Sequence, residues 1–171
     1  VAQGLPDEEV LAIEEYQNEL FIGTKKGGLA VFKGDGFSQR FALNSKMGRN
    51  IKCLFADSKG QLWIGGESGL SILKNDKITT FTTENGLPDN CINDITEIDG
   101  EIWIATNAGL VLVEDDGFKT YTTKEGLPSS IVLSLTKDQD DNLWIGTAKG
   151  AAKMENEKFT LYDAKRGFTN N

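Results

Sequence analysis

The sequence predicts an all-β protein assembled from four copies of one small four-stranded unit, and three observations carry that prediction. First, a nine-residue phrase returns four times, as "ELFIGTKKG", "QLWIGGESG", "EIWIATNAG" and "NLWIGTAKG". Its aromatic is Phe21, Trp63, Trp103 and Trp144, at intervals of 42, 40 and 41 residues. Second, other marks keep the same period. "GLP" stands at 4–6, 86–88 and 126–128, with a degenerate "MGRN" at 47–50. Gly-Leu follows at 28–29, 69–70 and 109–110, weakened to Gly150-Ala151, and an aromatic pair closes each unit in "FSQRF", "ITTF", "FKTY" and "FTLY". Third, the segments between turn residues are short and rich in β-branched and aromatic residues, as strands are.

The last unit shows the elements in order. "IVLSLTK" is a short apolar run, "NLWIGTA" a second, "GAAKMEN" a weaker third and "KFTLY" an alternating fourth. Asp140-Asp141-Asn142, Lys149-Gly150 and Asn156-Glu157 supply the turns between them. Four antiparallel strands per repeat of about 41 residues is the pattern of a β-propeller blade, a small twisted sheet packed face to face on its neighbours. The expected blades cover 4–44, 45–85, 86–125 and 126–166 of a single region, 1–171. Four blades either close on themselves or form half of a ring that a second chain completes. Opening in mid-pattern at "VAQGLP", the sequence reads as a fragment of a larger protein.

One stretch conflicts with its neighbours. "LPDEEVLAIEEYQNEL" reads alone as a helix, with Asp7 before a Glu-rich turn. Its equivalents, "LPDNCINDITEIDGEI" and "LPSSIVLSLTKDQDDNL", are β-rich, so Glu9–Glu14 is expected to be a strand. In "LWIG" alternate side chains point to opposite faces, and both faces are apolar because both meet neighbouring blades. The tryptophans are therefore expected to be packing residues, and the following glycine to let two backbones approach.

Composition removes several function classes. A net charge of −8 with scattered Lys and Arg argues against nucleic acid. No apolar run is long enough to span a membrane. The absence of histidine removes the usual general base and the commonest metal ligand. Cys53 and Cys91 are expected to be free buried thiols. "DQDDN" at 138–142 superficially suggests a calcium loop, but the glycine and closing glutamate of such a loop are missing. Serines have no histidine to activate them, and no acidic pair recurs at a pocket-like place. No catalytic residue, metal or cofactor is nominated.

"GLPSSIVLSLTKDQDDNLWIGTAKG" resembles the two-component regulator propeller repeat: G-L-P, a short strand, D-x-x-G-x-L-W-I-G-T, then G-L. The resemblance covers all four units. It implies an extracytoplasmic sensor region, periplasmic or extracellular, of a bacterial histidine kinase, hybrid kinase or cyclase whose output domain is not in this chain. It also implies a ligand, with an oligosaccharide as the family's suggestion. The alternative is a non-signalling propeller interaction or scaffold module. A carboxylate-based carbohydrate hydrolase or lyase is the third reading, and the expectation is no enzyme.

Any ligand is expected on the face where two loop sets meet, because tips on a rigid scaffold vary while the core marks stay fixed. The binding candidates are Lys25, Arg49, Asn50, Glu67, Asp89, Asn90, Asn107 and Lys149, with Asp7, Glu8, Lys26, Ser68, Ser129 and Ser130 in the same loops. Lys52, Asn93 and Asp94 interrupt apolar innermost strands and are candidates to line a central channel. Exposed apolar faces on the end blades would drive self-association.

Overall fold

The computed structural model describes residues 4–34, 36–38 and 47–164. Its strands form four antiparallel sheets of four, each taken in sequence order. The first contains β1 (Val10–Tyr16), β2 (Glu19–Thr24), β3 (Leu29–Phe32) and β4 (Phe37–Ser38), and the second β5 (Ile51–Ala56), β6 (Leu62–Gly66), β7 (Leu70–Lys74) and β8 (Lys77–Phe81). The third contains β9 (Ile92–Ile98), β10 (Glu101–Thr106), β11 (Gly109–Glu114) and β12 (Gly117–Tyr121), and the fourth β13 (Val132–Lys137), β14 (Leu143–Thr147), β15 (Gly150–Glu155) and β16 (Lys158–Tyr162). Each sheet is one sequence repeat. Among the described residues the only helical element is a 3-10 turn, Thr83–Asn85. Phe41 and Phe168 lie outside the described residues.

The helix-like stretch is a strand, β1, as the repeat requires. Its Glu14 explains one glutamate: the carboxylate accepts from the Ala56 N–H on β5 at 3.2 Å. Tight hairpins recur where the sequence offers Asn and Asp. Asn75 and Asp76 have φ of 49° and 58°, and Asn156 and Glu157 of 49° and 60°, the paired left-handed conformation of a two-residue hairpin turn.

The chain divides into two compact units, Val1–Ile92 and Asn93–Asn171. In the first, Phe21 and Val31 share a face of β2–β3 and pack with Tyr16, Leu29 and Met47 against Ile51, Leu62, Ile64 and Leu73. In the second, Trp103, Leu110, Leu112 and Tyr121 pack against Val132, Leu143, Ile145 and Ala152. Trp63 and Trp103 are buried, and Trp144 is half-buried beside Tyr162, with ring centroids 5.1 Å apart. The glycine after the aromatic corrects one expectation. A Cβ on Gly23 would meet Ile51 Cγ2 at 2.6 Å, and one on Gly65 would meet Ile92 Cγ2 at 2.5 Å. In these two repeats the glycine chiefly makes room for a β-branched side chain.

The "DSKG" and "DQDDN" segments are more than plain turns. The Asp57 carboxylate accepts from Lys59 N (3.0 Å), Gln61 N (2.7 Å), Gln61 Nε2 (2.8 Å) and the buried Trp63 Nε1 (2.8 Å). Asp138 repeats this with Asp140 N, Asn142 N, Asn142 Nδ2 and Trp144 Nε1. Burial raises the Asp57 carboxyl, but its donors outweigh that and hold it below the ordinary value. The Trp144 indole is the main cause of a similar lowering at Asp138, against desolvation. In the first repeat Tyr16 and Phe21 stand at the two positions, so the Asp and the indole are replaced together. The third has Ile98 at the Asp position.

Candidate ligand-binding site

Four of the eight nominated binding residues meet in one place. Lys25, Arg49, Asn50 and Glu67, with Lys26 and Ser68, line an open cavity of about 620 Å³ in the first unit. Three backbone segments build it: the β2–β3 turn, the stretch before β5 and the β6–β7 turn. The first is locked internally, since Thr24 Oγ1 donates to Gly28 O at 2.8 Å and accepts from Gly27 N at 3.1 Å. It is tied to the second by Gly28 N–H donating to Arg49 O at 2.9 Å, and the third is tied to the second by Glu67 N–H donating to Asn50 O at 3.4 Å.

The repeat departs from its own pattern at this spot, twice. The other units run "GLP" into the innermost strand with five residues from Leu5 to Val10, Leu87 to Ile92 and Leu127 to Val132, whereas Met47 reaches Ile51 in four. Met47 nonetheless fills the buried leucine position, so the missing residue is absorbed at Gly48-Arg49-Asn50. The second departure is "WIGG" where other units end in Thr24, Thr106 and Thr147, each of which closes its turn through a hydroxyl bond to a backbone oxygen. Gly66 has no such group, and a Cβ there would overlap the Asn50 carbonyl oxygen. Both departures therefore act on Asn50. The repeats depart from one another elsewhere too, at Tyr16 and Phe21, Ile98 and Gly150-Ala151, but these two departures fall together beside one cavity.

The electrostatics are mixed. Lys25 Nζ pairs with Glu9 at 2.8 Å, and that hydrogen bond raises its pKa. Desolvation works to raise the Asp7 carboxyl, but the Lys26, Glu9 and Glu8 backbone N–H groups lower it overall. Asn50 Oδ1 is buried with no hydrogen-bond partner. Lys52 sits at a β-bulge between Ile51 and Cys53, which re-aims its side chain. Its Nζ lies 3.0 Å from Cys91 Sγ and 3.8 Å from Glu67 Oε1. Cys53, buried, and Cys91, half-buried, form no disulfide with each other.

The other candidates have local occupations. Asp89 Oδ1 accepts from Cys91 N at 2.6 Å, and Asn90 Oδ1 accepts from Thr83 N at 2.8 Å. Asn93 Nδ2 donates to Val132 O at 2.7 Å and to Asn107 Oδ1 at 2.9 Å. Asp94 accepts from Leu135 N at 2.8 Å, and desolvation raises its carboxyl above the ordinary value. Lys149 is exposed, its N–H on Thr147 Oγ1 at 3.2 Å. No cluster of metal-ligating groups occurs among the described residues.

The two component regulator propeller family profile matches residues 45–68, 86–108 and 126–149, spanning the innermost strand and the Trp phrase of three units. The matches fall in three of the four repeats and cover less than half of the chain. No curated protein matches the sequence. Among solved structures, the chain resembles the extracellular domain of BT4673 from B. thetaiotaomicron, named a hybrid two component system, at 18% identity and a TM-score of 0.79. That match covers 94% of this chain and 22% of the other. It also resembles virginiamycin B lyase from Staphylococcus aureus, in a catalytically inactive form with a histidine replaced by alanine and with quinupristin. There the identity is 20%, the TM-score 0.70, and the coverage 92% of this chain and 56% of the other. YCF48 from Cyanidioschyzon merolae follows at 12% identity and a TM-score of 0.66, covering 94% of this chain and 58% of the other. These likenesses establish the propeller-blade fold, and this chain spans about a fifth of the BT4673 domain and just over half of the lyase and YCF48. Among the described residues no helix is long and apolar enough to cross a membrane.

Proposed function

We propose that this chain is the ligand-binding part of an extracytoplasmic sensor in a two-component system, and that the ligand enters the Lys25–Arg49–Asn50–Glu67 cavity. The observation that carries the reading is the convergence of nominated loop residues with both departures from the repeat pattern on one hollow of about 620 Å³. The match to two-component regulator propeller repeats supports the sensor class, and the likeness to an extracellular domain supports a location outside the cytoplasm. Binding would favour one arrangement of the loops over another, and an output domain outside this chain would report the shift. Catalysis is the weaker reading: the lyase neighbour's inactive form has lost a histidine, and this sequence has none. The test is a reporter strain carrying the intact sensor. Arg49→Ala should abolish the response to inducer at unchanged protein abundance, and an unchanged response contradicts the assignment.

A second reading concerns partners. Among the described residues, the exposed large hydrophobics Val10, Leu11, Ile13, Leu20, Phe32, Ile131 and Leu133 lie on the first and fourth sheets or at the residue leading into β13. We propose that these faces drive self-association of this chain. Light scattering across a tenfold dilution should show a species above monomer mass, which Ile13→Lys reduces to monomer. A monomer throughout contradicts this.

A further inference from the structure

We infer that Lys52 and Cys91 form a covalent modification site: a two-electron oxidant of the peroxide class converts the pair into a sulfenamide, with Nζ bonded directly to Sγ. The site does not depend on where the chain binds its ligand.

The register brings the two groups together. Lys52 sits at the bulge of β5, and its Nζ stands 3.0 Å from the sulfur of Cys91, the residue before β9. That is the separation of reacting atoms in a near-attack arrangement. Neither residue belongs to the blade pattern. Leu11, Asn93 and Leu133 stand at the position of Lys52, and Glu9, Asn50 and Ile131 at that of Cys91. The contact itself recurs: Asn93 Nδ2 reaches Val132 O, 39 residues on, as Lys52 reaches Cys91 over the same 39. Where Asn93 makes an inert hydrogen bond, this pair sets an amine against a thiol, a combination that oxidation can join. Access separates the two cysteines. Cys91 is half-buried and the Lys52 side chain 29% exposed, so a molecule as small as hydrogen peroxide reaches the sulfur, whereas Cys53 is buried.

The chemistry balances in two steps. The Cys91 sulfur attacks one peroxide oxygen; the S–O bond forms, the O–O bond breaks, and hydroxide departs as water with the thiol proton. Sulfur has lost two electrons to the peroxide and is now a sulfenic acid. Lys52, its ammonium proton given to solvent, then attacks the sulfur through the nitrogen lone pair. The N–S bond forms, the S–O bond breaks, and the hydroxyl leaves as water with a proton from nitrogen. One amine, one thiol and one hydrogen peroxide give one sulfenamide and two waters. Sulfenic acids condense in this way with a backbone nitrogen. Here a side-chain amine at 3.0 Å takes that role. The bond also removes the Lys52 charge. Glu67 Oε1, 3.8 Å away on the cavity lining, then loses a cationic neighbour, so the redox state of the pair is felt at the cavity.

The test is intact-mass measurement and peptide mapping of the chain after a few equivalents of hydrogen peroxide, before and after dithiothreitol. The oxidised chain should be two hydrogens lighter, with the Lys52 and Cys91 peptides linked, and dithiothreitol should restore the original mass. Lys52→Arg keeps the charge but has no nucleophilic amine, so it should give no linked peptides and gain oxygen at Cys91 instead. Cys53→Ser should still link, which separates the sulfenamide from a disulfide between the cysteines, equally two hydrogens lighter. Linkage lost in Cys53→Ser, or kept in Lys52→Arg, overturns the inference. So does a linked pair carrying an extra oxygen atom, and so does a wild-type chain that only gains oxygen or stays unchanged. Circular dichroism checks that each variant is folded, and the wild-type peptide map decides alone if one is not.

Discussion

Replacing Asp57 by alanine tests why the repeat couples an aspartate to a tryptophan six residues on. The substitution removes four accepted hydrogen bonds at once. The Trp63 indole is only 3% exposed, so water cannot take over as its acceptor. An unsatisfied buried donor costs about 1–3 kcal/mol, and the three turn donors, which water reaches, add a few tenths to about 1 kcal/mol each. The loss should be roughly 3 kcal/mol, or a fall in Tm of about 6–12 °C for a chain of this size. Asp138→Ala makes the comparison. It accepts from the matching turn donors and indole and also pairs with Lys153 at 3.7 Å, but Trp144 is half-buried and water can replace the carboxylate, so the loss should be clearly smaller. Urea unfolding of both variants, followed by tryptophan fluorescence, measures the difference. Asp57→Asn, which keeps an acceptor, should fall between wild type and Asp57→Ala. Equal losses for Asp57→Ala and Asp138→Ala, or a loss at Asp57 under about 1 kcal/mol, would refute the argument that burial of the indole sets the cost.

The remaining predictions concern pH and the departures from the repeat. Asp57 and Asp138 have lowered carboxyl pKa values, so their stabilisation is full above the ordinary carboxyl value of 3.8 and disappears as pH falls through the folded values; Asp57→Asn should flatten the acid limb of the stability curve. Asp94 is raised by burial and works the other way: its contribution falls as pH rises past 3.8, so the stability of Asp94→Asn relative to wild type should improve as pH rises above that value. Gly66→Thr restores the repeat hallmark but collides with the Asn50 carbonyl, and should cost about 1–3 kcal/mol in urea unfolding, whereas Thr24→Gly, in the regular turn, destabilises by a different route, removing two hydroxyl hydrogen bonds and a buried methyl. Gly65→Ala should also destabilise, because the added methyl meets Cys53 Sγ and Ile92 Cγ2, each at 2.5 Å.

The fold was legible because the period is read at many positions at once. Local preference misleads at "EEVLAIEE", where glutamates and leucine favour a helix, yet pairing of Ile13 with Ile22 and Glu14 with Phe21 holds it as a strand. Tertiary pairing outweighs a weak intrinsic preference. The site was legible only in part. Turn residues on one edge could be nominated from strand order, and Lys25, Arg49, Asn50 and Glu67 do meet. Asp89, Asn90 and Asn107 were equally good on that criterion, because nothing in a turn sequence says whether its side chain faces a hollow or folds back onto a neighbouring amide. The better signal lay in what the repeat lacks: the shortened "MGRN" and the glycine in "WIGG". The Asp57–Trp63 link was also in the sequence, as an aspartate six residues before a tryptophan in two units, but it reads as an ordinary turn until the indole N–H is seen to need an acceptor.

The central claim, that the cavity under Arg49 is where this chain meets its ligand, is tested most directly by mapping amide shifts of the ¹⁵N-labelled chain against a panel of neutral and acidic oligosaccharides. The account predicts that a binding member shifts amides of the turns around Lys25–Gly28, Gly48–Lys52 and Gly66–Gly69 together, leaving the second unit's turns at Asn107 and Lys149 unmoved. Shifts centred on those second-unit turns, or no shifts from any member, would contradict it.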